Sequence, residues 1–278
     1  MTIISGCQST RSRLCQTEPD QTSQVRRFFE AHWESGGREW AKHSRIREFR
    51  RECVEDSHSA LAPVTGCTVL EVGPGLGDDS WRLASEEPRR LVLLDISEKA
   101  LKLARSVVEK HGGRAAGVVS DCHHPAFAGG RFERVFGSVF LMHVEWDRAL
   151  EALAGLVTPG GRLVIVEPLR WHPLIAAGRW ISRFSAIRPR YVSLRELTAG
   201  TPELELLSAK AYYVLSPVTL VLSPMLPDGA FLRLSRWLQR TDRWLLARFP
   251  PFRHLAWMAV VAFRRKPHTD PNGDYLTE

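Results

Sequence analysis

Apolar and polar positions fall into two regimes along the chain. From Val25 to about Leu61, the residues Phe28, Phe29, Trp33, Trp40, Ile46, Phe49 and Cys53 recur at roughly helical intervals, interrupted by Gly36-Gly37. Two short helices joined at the double glycine are predicted. After Thr68 the pattern becomes apolar runs alternating with helical stretches, the signature of a parallel sheet with crossover helices. Strands are predicted at Thr68–Val72, Arg90–Asp95, Ala115–Ser120, Arg134–Phe140 and Arg162–Val166, the last entered through the turn Pro159-Gly-Gly161. The intervening helices begin at Asp78, at Asp147 and behind Ser97, whose hydroxyl suits an N-cap. Beyond Pro168 the pattern loosens: helices are predicted at Trp171–Ser185, behind Ser193, and at Gly229–Phe249, with strands at Leu206–Leu215 and Ala256–Arg264.

The fold class expected is α/β, a Rossmann-like, mostly parallel sheet with helices on both faces. Residues 1–24 read as a tail, 25–61 as an N-terminal helical cap and 62–170 as the ligand-binding core. Residues 171–250 read as cap insertions with a sixth strand, 251–266 as the last strand and 267–278 as a second tail. Cap and insertions together are expected to form a lid.

Composition changes this picture in two places. The net charge of +7 is concentrated: residues 170–266 hold 16 basic and 5 acidic residues, so the remainder is slightly acidic. The five cysteines (7, 15, 53, 67 and 122) show no Cys/His ligand spacing, so neither a disulfide frame nor a metal is expected. The longest unbroken apolar stretch, Leu255–Phe263, is too short to span a bilayer, and no signal peptide is evident. A cytoplasmic protein is expected, with peripheral contact to a membrane as a further option.

The candidate chemistry begins at Glu71-Val-Gly-Pro-Gly-Leu-Gly77. Gly73, Gly75 and Gly77 let the chain turn out of a strand, approach a ligand and enter a helix. Nicotinamide and flavin sites use a similar loop, but here the spacing is the shorter G-x-G-x-G, and Glu71 lies inside the strand. A helix N-terminus suits an anionic group and a buried acid suits a cation, as in the amino-acid end of S-adenosylmethionine. Asp95, with Ile96 beside it, closes the second strand where ribose hydroxyls are read. Asp121 ends the third strand, where it can accept from an adenine amino group, and Cys122 can line the ring.

Together with Leu94-Asp-Ile-Ser97, Ser120-Asp-Cys122, Phe140-Leu-Met-His143 and Leu156-Val-Thr-Pro-Gly-Gly-Arg-Leu163, the run Val69–Gly77 resembles class I S-adenosylmethionine-dependent methyltransferases of the ubiquinone/menaquinone-biosynthesis-like group. The resemblance covers about residues 65–170. It implies a seven-stranded sheet with an antiparallel last strand. It also implies S-adenosylmethionine as cofactor, with Glu71 and the glycines at the methionine part, Asp95 at the ribose and Asp121 with Cys122 at the adenine. Ser138 and Val139 would face the methyl group.

Methyl transfer needs the nucleophile held in line with the methyl, and a base only where the acceptor must lose a proton. The candidates to touch the acceptor are His143, His172 and Tyr191, with His123 and His124 behind them. Arg233, Arg236, Arg240 and Arg243 share one helical face and suit an anionic membrane surface, with Leu234, Trp237, Leu238, Thr241, Leu245 and Phe249 on another. Arg170, Arg179, Arg183, Arg188 and Arg190 are candidates to hold an anionic substrate, while Trp171, Trp180, Phe184, Tyr212 and Tyr213 suit a bulky apolar one. The expected acceptor is a small hydrophobic metabolite, of the natural-product, quinone or lipid type. An RNA methyltransferase and a cyclase or rearranging enzyme on the same fold stay open as alternatives. Nucleic acid is disfavoured, because no N-P-P-Y-like tetrapeptide follows the fourth strand.

Overall fold

The computed structural model of the protein describes residues 21–35, 44–174, 176–177 and 189–267. Its strands are β1 (Thr68–Val72), β2 (Arg90–Asp95), β3 (Ala116–Val119), β4 (Phe132–Ser138), β5 (Val157–Pro168), β6 (Leu204–Tyr212) and β7 (Met258–Arg265). The helices used below are α1 (Gln21–Ser35), α2 (Ser44–Phe49), α3 (Arg51–Leu61), α4 (Asp78–Ser85), α5 (Glu98–Lys110), α6 (Trp146–Leu156), α7 (Leu194–Ala199), α8 (Val218–Leu222) and α9 (Asp228–Arg248).

The strands form one seven-stranded sheet in the order β3-β2-β1-β4-β5-β7-β6. Neighbours from β3 to β5 pair parallel, and β7 lies antiparallel between β5 and β6. Strand order reverses between β1 and β4, the switch point beside which open α/β sheets bind their ligands. The central strands are apolar throughout because both their faces are covered. On one face Leu70, Leu94 and Ile165 pack in a cluster with Leu150 and Leu153 of α6. On the other, Val69, Leu93 and Val164 share a cluster with Leu61 of α3, Leu83 of α4 and Leu101 of α5.

Local capping follows the sequence closely. The Ser97 hydroxyl accepts from the Ala100 N–H (3.2 Å) at the start of α5. Ser193 and Glu196 form a reciprocal capping box at α7 (3.2 and 2.7 Å).

Several boundaries differ from expectation. Helix α1 begins at Gln21, inside the segment read as tail, while residues 1–20, the Gly36-Gly37 break and Trp40 lie outside the described residues. Of the helix expected at 171–185, only residues up to 177 are described. β4 stops at Ser138, and Val139 turns away with a left-handed φ of 57°. The five-residue α8 was not anticipated, since Val-Thr-Leu-Val-Leu after Pro217 carries no helical periodicity.

Register fixes where the late insertion emerges. Tyr212 pairs with Met258, and Met258 pairs with Pro168 at the end of β5. Residues 213–257 therefore leave and rejoin the sheet at the edge where β5 ends, next to the end of β4.

Candidate active site

At the end of β1, Glu71 is buried (2% exposed). Among the described residues its Oε2 has no partner. Burial first, then the nearby Asp79 and Asp95 carboxylates, push its pKa up to about 8 against the pull of the Ser80 hydroxyl. Asp79 is itself held by His58 Nε2 at 3.1 Å. A buried carboxyl with one oxygen unpartnered is expensive to ionise unless a cation arrives to pair with it. That is the fit expected for the ammonium end of S-adenosylmethionine, which the residues Glu71, Asp95 and the glycine loop would hold.

The glycines divide their work. A Cβ on Gly73 (φ 66°) would lie 2.9 Å from Phe140 Cβ, and one on Gly77 (φ 82°) would lie 2.8 Å from Ala104 Cα. Gly73 thus admits Phe140, and Gly77 lets α4 start against α5. Gly75 faces the indole of Trp33 in α1, at 3.6 Å from its would-be Cβ.

Asp95 lies at the end of β2, its Oδ1 accepting from the Ser97 N–H (2.8 Å). Burial raises its pKa to about 6 despite the backbone hydrogen bonds from Ser97 and Ile96. Glu30 of α1 adds to that rise, and its Oε1 accepts from the Glu98 N–H at 2.8 Å. Asp121 Oδ1 accepts from His123 Nδ1 (2.7 Å), and His123 Nε2 accepts from the Glu145 N–H (3.2 Å), which defines the imidazole tautomer. Cys122 is buried, and burial pushes its thiol up to about 12. The ligand atoms of Asp121, Cys122 and His123 lie within 4.8 Å of one another, a grouping of consecutive residues that follows no Cys/His ligand spacing. Asp121 and His123 are already bonded to each other there. His124 is exposed, and its backbone N–H donates to the Asp121 carbonyl.

The turn after β4 is organised by a residue that the sequence did not single out. Glu167, buried at the end of β5, accepts from the Phe140 and Leu141 N–H groups through Oε1, both at 2.8 Å. Burial lifts its pKa to about 7, against the pull of those hydrogen bonds and of Arg50. Val139 in turn donates its N–H to the Val166 carbonyl (2.8 Å). These bonds hold a β-branched residue in the left-handed region, a strained placement of the kind concentrated at functional sites. Ser138 and Val139, both partly exposed, stand at this turn.

His143 closes the turn. Burial, followed by the nearby His32, lowers its pKa to about 4, and its Nδ1 has no partner among the described residues. Phe29 of α1 stands edge-on to the imidazole at 5.0 Å. Helix α1 therefore covers both halves of the crevice, Trp33 over the glycine loop and Phe29 over His143. The other two acceptor candidates have different surroundings. His172 is 2% exposed; its Nε2 meets the Val214 carbonyl at 3.2 Å and its Nδ1 accepts from the Leu174 N–H at 3.2 Å. With both nitrogens engaged it is a staple between the segment after β5 and the end of β6, with no nitrogen left for an acceptor. Tyr191 lines a cavity of about 540 Å³ with Arg170, Arg190, Glu145, Trp146 and Asp147, and the Arg190 N–H donates to the Met142 carbonyl (2.6 Å), beside His143. Arg170 donates to the Tyr191 carbonyl (2.8 Å) and pairs with Glu196 (3.2 Å). Arg179, Arg183, Arg188, Trp180 and Phe184 lie outside the described residues.

Comparison with known proteins agrees with this geometry. Residues 69–161 match the profile of the family described as a methyltransferase domain. Methyltransferase GfsG of Streptomyces halstedii is 26% identical over 125 residues, 44% of this chain and 45% of that protein. The ubiquinone/menaquinone biosynthesis C-methyltransferase UbiE of Haemophilus ducreyi is 32% identical over 107 residues, 37% of this chain and 41% of that one. The chain thus spans less than half the length of these two relatives. Among solved structures, N-methyltransferase NodS from Bradyrhizobium japonicum in complex with S-adenosyl-L-homocysteine has a TM-score of 0.57 at 14% identity, over 87% of this chain and 98% of that one. The [4+2]-cyclase SpnF has a TM-score of 0.56 at 16% identity, over 77% and 80%. At such identities the likeness is one of fold.

Proposed function

We propose that this chain, whose residues 69–161 match a methyltransferase domain, is a class I S-adenosylmethionine-dependent enzyme that moves the methyl group onto a small hydrophobic acceptor. The observation that carries the acceptor reading is the wall around His143. Phe140 packs against Gly73 of the glycine loop, Phe29 stands edge-on to His143, and burial keeps that imidazole uncharged. A charged acceptor would lose its hydration there without a counter-ion to replace it. Relatives named for ubiquinone/menaquinone C-methylation and for O-methylation support an organic acceptor.

The bound cofactor supplies a methyl on positive sulfur, whose leaving group needs no protonation. The chain's own contribution is placement. Glu71 offers its carboxylate to the ammonium, Asp95 its free oxygen to the ribose, and Glu167 fixes the turn that carries Ser138 to His143. With a pKa of about 4, His143 is a poor proton acceptor at neutral pH and serves as a neutral hydrogen-bond partner that orients the acceptor. Catalysis then rests on holding the two reacting atoms in line.

The test is incubation of the full chain with a trideuteromethyl-labelled donor and a panel of phenols, quinols, amines and RNA. Label in the apolar organic fraction is expected. Label in RNA, or an acceptor rearranged without label, would instead support the RNA-modifying or cyclase readings.

A further inference from the structure

Ten of the fourteen large hydrophobic side chains exposed in the described residues fall between Leu215 and Leu255, in the insertion between β6 and β7. Surface apolar residues scattered singly are ordinary, but concentration on one insertion marks an interaction surface. The exposed members include Val221 (60%), Met225 (83%), Trp237 (61%) and Trp244 (62%). Helices α8 and α9 are tied side by side: the Ser235 hydroxyl bonds the Thr219 hydroxyl (3.0 Å), and Asp242 accepts from the Leu215 and Ser216 N–H groups (2.8 and 3.1 Å). At the far end, the rings of Trp244, Phe249 and Phe252 form a chain with centroid spacings of 6.0 and 6.3 Å.

The inward face of α9 is Phe231, Ser235, Asp242 and Leu246. Trp237 and Trp244 are seven residues apart, so they share a side of the helix that points away from it. Arginines flank them, but the four singled out from the sequence do not behave alike. Arg243 pairs with Glu52 of α3 (2.7 Å), and Arg236 shares a cleft with Glu48, Glu52 and Glu55. Arg233 and Arg240 lie on the side of the tryptophans, one turn before and one turn after Trp237, and Arg248 lies one turn beyond Trp244 over the Phe249 ring (5.5 Å). The two acids of the insertion do not offset this charge, because Asp228 is paired with Arg45 (2.6 Å) and Asp242 is buried.

We propose that this face docks on an anionic phospholipid bilayer, with Trp237 and Trp244 in the interface and Arg233, Arg240 and Arg248 on the lipid phosphates. Exposed tryptophans beside uncompensated arginines match the apolar-to-charged gradient of a membrane surface. Among the described residues no helix is long and apolar enough to cross a membrane, so the contact is peripheral. The insertion leaves and rejoins the sheet at the edge that carries the crevice. The proposal does not depend on the identity of the acceptor.

The experiment is vesicle flotation of the full chain with phosphatidylcholine alone or mixed with phosphatidylglycerol, read together with tryptophan quenching by brominated lipid. Binding to the anionic vesicles only, with quenching, is expected. Arg240→Gln/Arg248→Gln should weaken it roughly tenfold or more, and Trp237→Ser/Trp244→Ser should abolish the quenching. Arg236→Gln/Arg243→Gln should leave binding unchanged. All variants are checked for unaltered thermal stabilisation by S-adenosylhomocysteine. Equal affinity for neutral vesicles, no vesicle binding, or a loss in Arg236→Gln/Arg243→Gln as large as in Arg240→Gln/Arg248→Gln overturns the proposal. So does a concentration-dependent dimer that buries both tryptophans.

Discussion

Replacing Glu71 by glutamine separates what that carboxyl does for the fold from what it does for a ligand. The group ionises at an ordinary 4.5 in the unfolded chain and at about 8 in the ligand-free fold. A carboxyl raised in this way favours the fold fully below the lower value, and that advantage drains away as pH rises through the higher one. Between pH 5.5 and pH 8 the loss amounts to about 3 kcal/mol, from the two proton-binding curves. A carboxamide does not titrate, so the Tm of Glu71→Gln relative to the wild type should rise by roughly 6–10 °C between pH 5.5 and pH 8. The assay is thermal unfolding of both ligand-free proteins across that range, repeated with saturating S-adenosylhomocysteine. The ligand's ammonium should restore stability to the wild type at pH 8 and add much less to the variant. Parallel Tm profiles for the two proteins, or an equal ligand shift in both, would refute the assignment of Glu71 as the cation's partner.

Three further outcomes follow from the same geometry. Asp95→Ala removes a carboxylate able to accept from ribose hydroxyls and should weaken S-adenosylhomocysteine roughly 100-fold by calorimetry; an unchanged Kd would place the ribose elsewhere. Because the His143 pKa is lowered to about 4, kcat/KM for the acceptor at saturating cofactor should show no acid limb near pH 6.5, and His143→Gln should cost less than about tenfold without reshaping the profile. An acid limb near 6.5 that vanishes in His143→Gln would make it a base after all. Glu167→Ala leaves two buried N–H groups unpaired and should cost about 2–5 kcal/mol in urea unfolding, whereas Glu167→Gln keeps an acceptor oxygen and should cost about 1 kcal/mol; equal losses would deny Glu167 its hold on the turn.

The parts legible in the sequence are those whose cause is local. A parallel strand buried on both faces has to be a short apolar run, which is why Val69–Val72 and Leu91–Leu94 announced themselves. Ser97 and Ser193 cap their helices through atoms three residues away. What escaped depends on distant partners. Glu167 looked like the acid closing a strand, and its two hydrogen bonds go to residues 26 and 27 positions earlier. Val139-Phe140 reads as strand because both are apolar; the bonds from Glu167 and Val166 bend the chain there instead. His172 looked free beside the crevice until Val214 and the Leu174 N–H took its two nitrogens. The faces of α9 escape for a related reason. Its apolar residues nearly encircle the helix, so periodicity groups Trp237 with Leu234, Leu238 and Leu245 without fixing which side packs, and the bonds of Ser235 with Thr219 and of Asp242 with Leu215 leave Trp237 outside.

Calorimetric titration of the ligand-free protein with S-adenosylhomocysteine at pH 7, in two buffers of different ionisation enthalpy, addresses the cofactor site at its source. Glu71, with a pKa near 8, is mostly protonated before binding and must give up its proton to pair with an ammonium. One-to-one binding with release of nearly one proton is expected in the wild type, and no such release in Glu71→Gln. Absence of binding at millimolar ligand, or binding with no difference between the buffers, would contradict a cofactor held by Glu71.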